Sequence, residues 1–121
     1  MEKETMQDFL ESLTGASVRE IEEYASEITS NREFHSHLEE NLNKRSRYCG
    51  SWYPSIGTGL GTVLYVLCRQ LKPYVVVETG VAGGMSSSYI LCALEENKYG
   101  RLYSIDVPWE ETFLFETLFG V

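Results

Sequence analysis

Glu78, Gly80, Gly83, Gly84 and Asp106 are the residues whose types and spacing could do chemistry. A carboxylate closes a run of valines, and a glycine-rich turn follows. A second carboxylate stands about 20 residues beyond that turn, the separation at which a doubly wound fold holds ribose hydroxyls. Glycine lets a backbone turn sharply and lets a ligand come close to the amides. The expected chemistry is therefore the binding of a ribose-bearing small molecule by backbone amides and two acids. Each acid also has a plainer reading. Glu78 could cap the turn that follows its strand, and Asp106 could be a turn residue before Val107 and Pro108. The turn ETGVAGG does not fit G-x-G-x-x-G, because Ala82 stands where the second glycine belongs. It is not a P-loop either, because no Lys-Ser or Lys-Thr follows Gly84.

These residues need a strand, a turn, a helix and a second strand to position them. Val75, Val76 and Val77 form a short β-branched run, as expected of a strand buried on both faces. The spacing predicts strands over Tyr74 to Glu78 and Arg101 to Ile105, paired in parallel through a right-handed crossover. Between them, Ser86 to Glu96 reads as a helix with Ile90, Leu91 and Leu94 toward the sheet, and Lys98 and Gly100 suit its end. Upstream, a helix over about Thr58 to Leu71 carries Leu60, Val63, Leu64 and Leu67 as its apolar face, and Lys72-Pro73 stops it. Gly57, Gly59 and Gly61 read as a helix start packed closely on a neighbour rather than as a ligand loop.

Residues 1–47 hold most of the 18 acidic residues and read as three helices. Met6, Phe9, Leu10 and Leu13 form the first stripe, ended by Gly15. Ser17 with Glu20 fits a capping box ahead of Val18, Ile21, Tyr24 and Ile28. Asn31 could cap a third helix carrying Phe34, Leu38 and Leu42. His35 and His37 diverge on that helix, cannot share a metal, and read as surface residues. Residues 44–57 read as a connection in which Lys44, Arg45 and Arg47 stand beside Tyr48, Trp52 and Tyr53.

ETGVAGGMSS after a valine run, followed by GRLYSIDVP, resembles the first βαβ unit of class I S-adenosylmethionine-dependent methyltransferases. It is most similar to a small archaeal and bacterial group whose motif reads VVETGVxxGxSS, and LYVLCRQLKP looks like that group's lead-in helix. The resemblance runs from about Gly59 to Pro108. It implies an α/β chain with an N-terminal helical region (1–47) and a partial Rossmann-like cofactor domain (48–121). It implies S-adenosylmethionine as cofactor, with Glu78, Gly80, Gly83 and Gly84 around the methionine portion, Ala82 and Ser86 also at the cofactor, and Asp106 on the ribose. Strands that in this family supply the adenine pocket and the acceptor site would follow Asp106. The 121-residue chain is accordingly expected to be the cofactor-binding half, inactive by itself. A nicotinamide-dependent enzyme is the competing reading, weakened by Ala82.

A net charge of −8 repels phosphate backbones and argues against nucleic acid as a partner. No apolar run approaches the roughly 18 residues of a membrane span, and MEKETMQDF lacks a signal-peptide layout. Cys49, Cys68 and Cys92 form no CxxC pair, Cys68 and Cys92 read as inert core thiols, and a cytoplasmic protein is expected. A two-stranded sheet would leave an unpaired edge and an apolar face. The tail adds Phe113, Phe115, Leu118 and Phe119. A non-catalytic chain that associates with itself, as a homo-oligomer, or with a partner protein is therefore the reading from a different functional class.

Overall fold

The computed structural model describes residues 5–49, 58–80 and 84–106, with only the backbone described for 42–49 and 58. In chain order the elements are α1 (Met6–Thr14), α2 (Val18–Thr29), α3 (Arg32–Cys49), α4 (Thr58–Leu71), β1 (Val75–Thr79), α5 (Met85–Asn97) and β2 (Arg101–Ile105). Local chemistry sets most boundaries. Thr5 caps α1 in a reciprocal box with Asp8, and Gly15 ends the helix at φ 71, a left-handed position natural to glycine. At α2 the Ser17 hydroxyl accepts from the Glu20 amide at 3.2 Å. Asn31 Oδ1 likewise accepts from the Phe34 amide at 3.0 Å and starts α3.

α4 is the central helix. On one side Val66 packs with Leu10 of α1, Ile21 of α2 and Ala16 of the turn between them. On the other, Tyr65 and Cys68 join Ile28, Leu38 and the α5 residues Tyr89, Ile90, Ala93 and Leu94. The expected single apolar face is corrected accordingly. The deepest positions of α4 are Tyr65 and Val66, whereas Leu60 is exposed, because neighbours cover α4 on opposite sides. Gly61 lets α4 close on α5, since a Cβ there would overlap the Tyr89 ring. Within α1 only Leu10 is buried, and Met6, Phe9 and Leu13 stay exposed.

β1 and β2 pair in parallel, in register from Val75 opposite Arg101 to Thr79 opposite Ile105. The pairing matches the expectation, but the fold class does not. Among the described residues the chain is mainly helical, with five helices and one two-stranded sheet. A Rossmann-like α/β fold is not what this structure shows, since that architecture needs a wider parallel sheet covered on both faces. The physical sign is on the strands. Val76 and Leu102 pack toward α5, while Val75 and Val77 on the other face are 48% and 59% exposed. Among the described residues the valine run is thus covered on one face only. No described helix is long and apolar enough to cross a membrane.

Candidate functional site

Of the residues singled out by sequence, Glu78, Gly80, Gly84, Ser86 and Asp106 gather at the carboxyl end of the strand pair. Glu78 lies on the inner face of β1, and three hydroxyls donate to its carboxylate. Ser86 Oγ reaches Oε2 at 3.1 Å and Ser104 Oγ reaches Oε1 at 2.7 Å. Ser87 Oγ also donates to Oε1. One side chain therefore joins β1, the first turn of α5 and β2. Ser86, expected at the cofactor, directs its hydroxyl to Glu78.

Gly80 continues the ladder, its N–H donating to the Ile105 carbonyl at 3.0 Å. Its φ of 71 is left-handed, and an added Cβ would meet nothing within 4 Å. Glycine is required there by conformation, and the space beside it is open. Gly84, at φ 78, is the N-cap of α5, and no described side chain caps that helix start. Asp106 follows directly on Ile105, so the parallel register sets it beside Gly80 at the same sheet end. Glycine backbone, uncapped helix amides and a half-buried carboxylate thus share one edge. Ala82 and Gly83 lie outside the described residues, as do the side chains of Lys44, Arg45, Arg47 and Tyr48 and the whole of Trp52, Tyr53 and the tail after Asp106.

No family model, curated protein or solved structure matches this chain. The site therefore stands on its own geometry.

Sequence reasoning missed Ser87 and Ser104. Their signal was a hydroxyl at an inward position, Ser87 within the buried stripe of α5 and Ser104 two residues after Leu102 on β2. It also missed a network beneath the site. Arg69 on α4 donates twice to Glu27 on α2, at 2.7 and 2.9 Å, and again to Asn97 on α5. Tyr65 donates to the same Glu27 carboxylate at 2.7 Å, and the guanidinium lies 4.8 Å over the Tyr24 ring. The hydrogen bond from Arg69 holds the Glu27 carboxyl below its ordinary range. Burial and the Glu27 bond raise the Tyr65 phenol. These residues clamp the helices that carry the strand pair.

His35 also departs from its expected surface role. Its Nε2 lies 2.9 Å from the Ile28 carbonyl, and its ring meets Phe34 edge-on. His37 is exposed beside Glu33. Burial raises the thiol pKa of Cys68 and Cys92, as expected of unreactive core thiols. The Tyr89 hydroxyl is fully buried, with no hydrogen-bond partner among the described residues.

Proposed function

We propose that the chain is the cofactor-binding part of an S-adenosylmethionine-dependent methyltransferase. The observation that carries this reading is the convergence of Gly80, Gly84 and Asp106 at the carboxyl ends of two parallel strands joined by α5, the edge where parallel sheets take ligands. The residues fit the cofactor in kind. Gly80 offers a left-handed backbone with open space where a side chain would stand, and Asp106 offers a carboxylate suited to a vicinal diol. Glu78 acts on the ligand through the frame it builds, holding the α5 start against both strands by way of Ser86, Ser87 and Ser104.

The cofactor would supply an electrophilic methyl on a sulfonium, so this chain's task is to hold donor and acceptor in line. The free thiols of Cys68 and Cys92 suit a reducing, cytoplasmic setting. Calorimetric titration with S-adenosylhomocysteine and with NAD tests the proposal. Binding of the first, weakened at least about tenfold (1.4 kcal/mol) by Asp106→Ala, is expected. Binding of NAD alone would reject it. A second reading, association of the chain with itself, is favoured by the apolar residues Val75, Val77, Tyr103 and Ile105 exposed on one sheet face.

A further inference from the structure

We propose that the outer face of the strand pair docks a helix of a partner protein, amphipathic along its length and acidic in its last turn. The parallel register sets Val75 and Val77 of β1 beside Tyr103 and Ile105 of β2 on this face. Each of the four is 48% exposed or more, and no described residue packs over them. Their open area, on the order of 400 Å², is the size at which an exposed apolar patch marks an interaction site. α5 takes the opposite face, where Val76 and Leu102 pack, so the outer face is where a second helical layer belongs. Both strands are five residues long. They span about 17 Å, which a helix of about 12 residues crosses.

Charge at one end of the face selects the partner. Gly100 abuts the Pro73 carbonyl, the Arg101 N–H donates to the Tyr74 carbonyl at 2.9 Å, and the Tyr74 and Tyr99 rings lie 5.6 Å apart. These contacts gather Lys72, Lys98 and Arg101 at the amino end of the sheet, all three exposed. No described carboxylate pairs with any of them. An open groove of about 700 Å³ beside β2, lined among others by Glu95, Lys98, Tyr99, Arg101 and Tyr103, extends the patch. Three cations against Glu95 and Glu96 leave this end positive in a chain of net charge −8. α5 runs antiparallel to both strands. A helix laid on the outer face in the same direction brings its carboxyl end to the cations. There its last carbonyls and any acidic side chains find opposite charge.

Fluorescence anisotropy with two labelled alanine-leucine peptides of about 14 residues tests this. Both carry the same leucine stripe, but one ends in glutamates and the other in lysines. At about 50 mM salt the glutamate peptide should bind with a dissociation constant on the order of 100 µM, and the lysine peptide at least about tenfold more weakly. At about 500 mM salt that preference should shrink at least about threefold. Lys98→Glu combined with Arg101→Glu should reverse it, whereas Arg19→Glu, exposed on α2, should leave it within about twofold. Val77→Asp should weaken both peptides at least about tenfold. If Val77→Asp does not fold, the charge-reversed variant decides. Equal binding of the two peptides, no saturation by either at about 1 mM, or an unchanged preference in the charge-reversed variant overturns the proposal. So does a wild-type dimer that Val77→Asp dissolves, which would mean that the face takes a second copy. Capture by phosphatidylserine vesicles without binding of the glutamate peptide also overturns it, in favour of a membrane surface.

Discussion

Replacing Arg69 with methionine should destabilise the fold by about 3 kcal/mol, because it leaves Glu27 charged and half its acceptors unfilled. The figure follows from the geometry. Two charge-assisted bonds at 2.7 and 2.9 Å are lost, each worth about 1.5–3 kcal/mol. The bond to Asn97 and the contact with Tyr24 go with them. Against this, the Glu27 side chain is 34% exposed, so water re-solvates part of the orphaned charge, whereas Arg69 is only 14% exposed. Glu27→Gln keeps an acceptor for Tyr65 and should cost about 1.5 kcal/mol. The double variant should cost no more than Arg69→Met alone, a coupling of about 1.5 kcal/mol between partners in contact. Urea unfolding at neutral pH measures all three. A pH series adds an independent check. The folded-state pKa of Glu27 lies below its ordinary 4.5, so the carboxylate's contribution is complete above that value and is lost as pH falls through the lowered pKa. The gap between wild type and Glu27→Gln should be flat from about pH 5 to 8 and close in acid. Additive single-variant costs, or a loss below about 1 kcal/mol for Arg69→Met, would refute the clamp.

Tyr89→Phe removes a buried hydroxyl without a partner among the described residues and should raise stability by about 1 kcal/mol in the same unfolding assay. Gly61→Ala sets a methyl into the Tyr89 ring; its overpacking cost of about 1–3 kcal/mol should outweigh the roughly 1 kcal/mol of helix propensity gained. Gly15→Ala, left-handed but in open space, should cost about 1 kcal/mol. Gly100→Ala, at φ 100 with its Cβ directed into the Pro73 carbonyl, should cost at least twice as much, and thermal unfolding of the two side by side checks the ranking.

What the sequence made legible was local. Gly15, Ser17 and Asn31 punctuate the helices through contacts within four residues, and the bounds of α4 and β2 follow from periodicity and Lys72-Pro73. Thr5 with Asp8 carries the same kind of signal and was overlooked. Burial was less legible. Three valines in a row look the same whether a second layer covers them or not, so the exposed outer face could not be read from period alone. Leu91 shares the spacing of Ile90 and Leu94 yet lines an open groove, because only tertiary placement decides which side of α5 meets the sheet. The partners Glu27 and Arg69 are too far apart in the chain for spacing to join them. His35 was misplaced because its acceptor belongs to the end of α2. At the site, the acids and glycines were legible as types. That Glu78 receives Ser86, Ser87 and Ser104 was not, since it depends on how α5 crosses the strands.

Amide chemical-shift mapping of the ¹⁵N-labelled chain during titration with S-adenosylhomocysteine tests the central claim most directly. The account predicts saturable shifts concentrated at Gly80, Gly84, Ser86 and Asp106, with α1 and α2 unmoved. A saturating titration that leaves those four amides in place, or moves only residues of the groove beside Tyr103, would contradict it.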